Sequence, residues 1–198
     1  MKTHPILFSG EMVRALLDGR KTQTRRVFLV TGPLGDKSAV TSPDEEIMQF
    51  DDGTFHYRST GGLSGPYPCP YGQPGDLLWV RETFFDWGVG SNRIQYKTET
   101  SKVDEVPWSP SIHMPRWASR LTLKITDVRV ERLQGISRED VLAEGIQVAT
   151  ADVASLGEFH ACYRGLWNSL NAKRGYSWET NPWVWALTFK PINPGKDG

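Results

Sequence analysis

Apolar positions along this chain change period several times, and each period assigns an element. Ile6 to Phe8 is a short apolar run that reads as a strand, and Met12, Val13, Leu16 and Leu17 then recur at helical spacing. Ser9 stands where that helix needs an N-cap, Glu11 falls in its first turn, and Gly19 sits where its C-terminus needs a left-handed residue. Leu77, Leu78, Trp79 and Val80 are apolar on both faces, the pattern of a buried strand, and the run ends in Arg81 and Glu82. Charges closing so dry a strand are expected to be paired or to face a pocket, because unpaired burial costs several kcal/mol. Arg93 to Thr98 is a short candidate strand, and Trp108 to Trp117 a proline-bounded loop. Leu121, Leu123 and Ile125 alternate on odd positions while Val128 and Val130 continue on even ones. The phase therefore slips near Thr126 or Asp127, which predicts a bulge or bend of the kind that turns a strand round the corner of a small closed barrel.

Two helices follow. Ser137 opens the first, with Ile136 and Val141 placed as a hydrophobic staple and Gly145 as the stop. Phe159, Cys162, Tyr163, Leu166, Trp167 and Leu170 form the apolar stripe of the second, with Gly175 beyond its end. In the last strand Trp183, Trp185, Leu187 and Phe189 alternate with Val184, Ala186, Thr188 and Lys190. Residues 31–75 are rich in Gly, Pro, Ser and Asp and read as an insertion or long loop carrying at most a hairpin near Ile47 to Arg58. Strands and helices do not alternate as a doubly wound sheet requires. The fold class expected is α+β, a small, mostly antiparallel β-barrel with helices packed outside, as a single domain over residues 1–198.

Composition narrows the function classes. A hydrophobic content of 38% fills a core, while a mean hydropathy of −0.44 and no long apolar run exclude a membrane-spanning helix. The apolar stretch after Lys2 is too short for a secretory signal, so a cytoplasmic protein is expected. Cys69 and Cys162 lie in no CxxC pair and His4, His56, His113 and His160 show no ligand spacing, so no metal and no cofactor are expected. A formal net charge of zero means that any nucleic-acid contact comes from a local patch.

The densest patch is Gly19 to Arg26, with Arg20, Lys21, Arg25 and Arg26 interleaved with Thr22 and Thr24. On charge alone such a run is an ordinary solvated loop. Its mount on a capped helix is the feature that raises a functional reading. Lys21 is the candidate base or nucleophile, since neighbouring cations and partial burial favour the neutral amine. Thr24, three residues on, faces the opposite side of a flat strand, so joint action requires a turn or bulge, and Thr22 is the rival hydroxyl. Glu82 is the carboxylate best placed by context to move protons, although an ion pair between Arg81 and Glu82 accounts for it equally well. A second constellation, Ser111 to Arg120, sets Arg116 beside Trp117 between stiffening prolines, the combination that stacks a base next to a phosphate ligand. His113 in the same loop serves as a proton donor or a loop cap. Of the eight tryptophans, Trp79, Trp167, Trp183 and Trp185 are expected in the core.

The run Gly19 to Arg26 resembles the G-x-K-x-x-T-x-R signature of the ASCH domain, a branch of the PUA-like β-barrels. The runs Pro5 to Ser9, Pro74 to Leu77 and His113 to Arg120 are similar to segments of phage and prophage ASCH proteins, and the similarity extends to the strand Trp183 to Phe189. The resemblance implies a PUA-like barrel that binds RNA or a modified nucleoside or base. One small ASCH enzyme type removes the acetyl group of N4-acetylcytidine with a lysine, a threonine and a glutamate. By the signature the first two fall on Lys21 and Thr24, and alignment of the buried strand puts the third on Glu82. Arg20, Arg25, Arg26, Arg81, His113, Arg116 and Trp117 complete the candidate ligand-binding set. The 31–75 segment and the added C-terminal helix depart from that compact enzyme, which leaves three readings open: an amidohydrolase, a ribonuclease, or a base-reading module without chemistry.

Overall fold

The caps foreseen from the sequence set the order of elements. The strands and helices are β1 (Thr3–Leu7), α1 (Gly10–Leu17), β2 (Gln23–Val27), β3 (Leu29–Thr31), β4 (Lys37–Ala39), β5 (Glu46–Gln49), β6 (Phe55–Ser59), β7 (Gly62–Ser64), β8 (Leu77–Arg81), β9 (Phe84–Asp86), β10 (Ile94–Tyr96), β11 (Thr122–Arg132), α2 (Arg138–Ala143), α3 (Leu156–Asn171) and β12 (Trp183–Ile192). The computed structural model describes residues 1–31, 37–42, 44–50, 53–88, 93–99, 106–149, 151 and 154–192. The chain forms two compact units, each built from discontinuous segments. The first comprises Met1–Thr22, Tyr71–Asp127 and the chain from Phe189; the second comprises Gln23–Pro70 and Val128–Thr188. Among the described residues no helix is long and apolar enough to cross a membrane.

In the first unit β8 is the central strand. It pairs in parallel with β1, from Thr3 opposite Leu77 to Leu7 opposite Arg81, and antiparallel with β11, with Thr122 opposite Trp79. Leu78 and Val80 are fully buried with Ile6, Leu123 and Ile125, whereas Leu77, Trp79 and Arg81 on the other face are only half-buried. The strand is therefore dry on one face only. Ser9 accepts from the Met12 amide at 3.4 Å to cap α1, whose Met12, Val13, Ala15 and Leu16 are buried while Leu17 is exposed. Gly19 takes φ 72°, the left-handed stop that lets the chain reverse at the helix end. A small cluster of Phe84, Met114 and Ala118, with Ile94 and Tyr96 against it, closes the β9–β10 hairpin.

In the second unit β12 pairs antiparallel with β2, from Val184 opposite Val27 to Thr188 opposite Gln23. Helices α2 and α3 supply Val141, Phe159, Tyr163 and Trp167 to a core that includes Leu133, Ile136, Trp178 and Val184. The cap of α2 holds as expected, with Ser137 accepting from the Asp140 amide, and α3 opens on a reciprocal capping box of Ser155 and Glu158. Cys162 and Leu170, expected on the apolar stripe of α3, are exposed.

Two further expectations change. The 31–75 segment carries more than one hairpin: β3 pairs with β4, and β5, β6 and β7 form an antiparallel meander. Val40, Ile47 and Phe55 are buried, with Phe55 edge-on to Trp185 at 4.8 Å and Phe28 stacked on it at 4.6 Å. The glycines and prolines there separate strands too short to show a period; positions 32–36, 43 and 51–52 lie outside the described residues. The closed barrel is the second. Ladders run β1-β8-β11 in the first unit and β11-β12-β2 in the second, and among the described residues none closes them into a barrel. The phase slip behind that expectation is present, with Thr126 and Asp127 exposed between buried Ile125 and Val128. It marks the point in β11 where the first unit gives way to the second. The architecture is α+β and mostly antiparallel, with β1 parallel to β8.

Candidate functional site

Lys21 follows directly from the end of α1. The carbonyl of Ala15 accepts both the Arg20 amide at 2.9 Å and the Lys21 amide at 3.0 Å, which fixes where the lysine leaves the helix. Its side chain has no exposed surface, and Nζ lies 5.4 Å from the Phe8 ring centroid. Phe8 in turn donates its amide to the Arg81 carbonyl at 3.2 Å, so it borders the end of β8 where Glu82 begins.

Glu82 is 2% exposed and clamped from two sides. Oε1 accepts from Arg120 Nε at 2.8 Å, while Oε2 accepts from Arg120 Nη2 at 3.1 Å and from the Thr98 hydroxyl at 2.8 Å. Arg120 also pairs with Glu99 and lies 4.0 Å over the Tyr96 ring. Burial pulls the Arg120 guanidinium down, but the hydrogen bond and charge of Glu82, with Glu99, carry it above its ordinary value. Burial pushes the Tyr96 hydroxyl up, opposed by Arg120 and helped by the two carboxylates. A bidentate guanidinium fixes a carboxylate in orientation as well as position. The partner of Glu82 is thus Arg120 and not its neighbour Arg81. Thr98 and Arg120 went unread from the sequence, though pairing the two apolar strands antiparallel brings Arg120 level with the end of β8.

The signature residues from Gln23 onward belong to the second unit. Thr24 is 1% exposed, and its hydroxyl accepts from Arg26 Nη1 at 3.2 Å. Thr24 and Arg25 are both buried, so β2 is covered on both faces. The Arg25 side chain, wholly buried, pairs with Glu131 and Asp140 at 2.7 Å each and with Glu144 at 3.3 Å. Arg129 reinforces the group through Glu131 at 2.9 Å and Asp140 at 2.7 Å. Burial works against the Arg25 charge, but Glu144 and then the other acids more than offset it, raising the guanidinium above its usual value. Burial also pushes the Tyr163 hydroxyl well up, with Glu144 adding to it. This is an interior ion-pair hub in which the Arg25 guanidinium is engaged by three acids.

The remaining candidates are spread over the first unit. Arg20 is half-buried and pairs with Asp18 at 2.7 Å. Arg81 and Arg116 lie over the Trp79 ring at 5.4 and 5.8 Å, and His113, Arg116 and Trp117 are exposed. Trp167 and Trp185 are buried as expected, Trp79 and Trp183 are half-buried, and Trp178 is an unforeseen core member. Among the described residues no group of three or more His, Cys, Asp or Glu side chains is gathered to hold a metal ion.

No family model matches the chain, and no curated protein does. Among solved structures, the crystal structure of an ASCH domain from Lactobacillus crispatus JV V101 is similar at 12% sequence identity, with a TM-score of 0.44, over 96% of this chain and 79% of that chain.

Proposed function

We propose that the chain is an ASCH-type protein whose first unit recognises a modified nucleoside and hydrolyses its exocyclic amide through Lys21 and Glu82. The observation that supports this is a lysine with no exposed surface and a clamped, 2% exposed carboxylate in one unit, both bordering Phe8. Charges are rarely kept in an interior, and those kept in fixed orientation are candidates for chemistry. In this reading Glu82 takes a proton from water as its oxygen attacks the amide carbonyl. The developing oxyanion accepts a hydrogen bond from Lys21 Nζ, and the proton passes to the leaving nitrogen as the C–N bond breaks, giving acetate and the amine. Arg120 and Thr98 position the carboxylate.

The test is conversion of N4-acetylcytidine to cytidine by the purified chain. Lys21→Ala and Glu82→Gln are each expected to lower turnover on the order of a hundredfold or more, with the circular dichroism of the parent. The resemblance gives Thr24 a part as well, and Thr24→Val in the same assay tests it separately. No turnover by the parent protein refutes the amidohydrolase. One observation favours a second reading, a base-recognising module without chemistry: both Glu82 oxygens already accept hydrogen bonds, the arrangement of a structural anchor. That reading requires nucleoside binding without turnover, weakened by Lys21→Ala. A short RNA in the same panel tests the ribonuclease alternative.

A further inference from the structure

We propose that the ion pair of Arg120 with Glu82 is a latch that holds the base silent at rest, and that exposed Glu99 opens it by taking the guanidinium over. The proposal rests on the reading of Glu82 as the base and adds how that carboxylate is released.

At rest both Glu82 oxygens are covered. Oε1 faces Arg120 Nε at 2.8 Å, and Oε2 is shared by Arg120 Nη2 at 3.1 Å and the Thr98 hydroxyl at 2.8 Å, on a carboxylate 2% exposed. A base has to come within about 2.6–3.2 Å of the atom whose proton it takes. One of the two covering side chains must therefore leave first. Thr98 is short and sits in the 3₁₀ turn Lys97–Glu99, whose Lys97 amide is fixed to the Thr83 carbonyl at 3.0 Å.

Arg120 is the side chain built to move. Its backbone neighbours are held: the Ser119 hydroxyl donates to the Val80 carbonyl at 2.8 Å, and the Val80 amide donates to the Leu121 carbonyl at 3.0 Å. Motion is confined to the long side chain, whose Nη1 already bonds Glu99. Glu99 is 54% exposed, so the guanidinium spans from an interior acid to one in water. The Tyr96 ring lies 4.0 Å beneath it and is itself pinned, donating its hydroxyl to the Ala118 carbonyl at 2.9 Å. A guanidinium that slides across this ring keeps its cation–π contact and exchanges one carboxylate for another, so it is never without a counter-charge.

The two acids are unequal, and that sets the resting state. Buried Glu82 needs compensation more than Glu99 does in water, so the latch rests closed. In the open state Thr98 still orients Oε2 while Oε1 is uncovered, and a carboxylate relieved of its guanidinium accepts a proton more readily.

The experiment is NMR of the full chain, following exchange with water of the Arg120 Nε proton, which is assigned by its loss in Arg120→Lys. That proton is bonded to Glu82 and is released when the latch opens. In the parent it is expected to exchange faster than the Val80 amide, which reports unfolding of the strand. Glu99→Ala is expected to slow it about two- to fivefold, the contribution of an exposed ion pair, and to lower kcat/KM for N4-acetylcytidine by the same factor. Glu99→Asp should restore part of both. Circular dichroism checks that the variants fold. Exchange unchanged or faster in Glu99→Ala makes Glu99 a surface partner only and overturns the proposal. Exchange in the parent as slow as that of the Val80 amide overturns it too, since Glu82 is then a sealed anchor. Slowed exchange in Glu99→Ala with no turnover by the parent refutes the amidohydrolase and leaves the latch standing.

Discussion

Arg25→Met removes the cation from a site that three acids surround. The methionine fills much of the arginine's volume, so the main change is electrostatic: Glu131, Asp140 and Glu144 lose the guanidinium that pairs with all three. Taking one partner from a buried ion pair costs about 3–5 kcal/mol, because the other charge stays buried without compensation. Arg129 still reaches Glu131 and Asp140, whereas Glu144, 2% exposed, loses the guanidinium contact at 3.3 Å. The loss should therefore be about 4 kcal/mol, which for a chain of this size is about 8–16 °C in the unfolding midpoint. Urea unfolding followed by tryptophan fluorescence reads it, since Trp167, Trp178, Trp183 and Trp185 all lie in the second unit. Acid gives a second signature. Burial pushes the Asp140 carboxyl up, but Arg25 and Arg129 more than offset this and hold it below its ordinary 3.8. A depressed carboxylate contributes stability that is complete above pH 3.8 and is lost as pH falls through the lower folded value. Without Arg25 the acids protonate more readily, so the gap between parent and variant should narrow on acidification. A loss under about 1 kcal/mol at neutral pH, no more than a surface ion pair contributes, or a gap that widens in acid, refutes the reasoning.

Phe28→Ala should cost about 3–5 kcal/mol in the same urea assay, because the ring is fully buried between Trp185 and Tyr67. Gly72→Ala should lower stability by an amount on the order of 1–3 kcal/mol: the residue has φ 105°, and a Cβ would sit 3.0 Å from the Asp76 carboxylate and 3.1 Å from His4. Ser155→Ala breaks the capping box of α3 and should cost about 1 kcal/mol, with amide exchange accelerating in the first turn of that helix. An unchanged exchange rate there would mean that packing of Phe159, Tyr163 and Trp167 alone holds the helix end.

Local chemistry was legible in the sequence. Ser9, Gly19, Ser137 and Gly145 act within a few residues of themselves, and each does what its type predicts. The slip at Thr126 and Asp127 was equally plain, since alternation is a property of neighbours. Partners distant along the chain were not legible. Arg25 finds Glu131, Asp140 and Glu144 at separations of 106, 115 and 119 residues, and Glu82 finds Arg120 at 38. A run of cations looks the same whether its members face solvent, as the charge density of 19–26 suggested, or an interior of acids. The β5–β6 hairpin was legible near Ile47 to Arg58, but β3, β4 and β7 escaped because elements of three residues carry too few alternations to stand out from turn-forming neighbours. Burial of Lys21 and exposure of Trp117 invert the usual preferences of both residue types, and periodicity alone announces neither.

The shared acceptor at Ala15 makes the length of α1 a gauge for the position of Lys21. Two consecutive amides hang from one carbonyl, so the lysine is set by counting residues from the helix start. One residue inserted within Gly10–Leu17 would turn everything after it by about 100° and advance it by about 1.5 Å, carrying the amine off the Phe8 ring. Substitutions on the exposed side of α1 leave that gauge intact, and a change in its length does not. Among sequences that carry the Gly19 to Arg26 pattern, gaps should accumulate in the segment between β2 and β8 and be absent between Ser9 and Lys21.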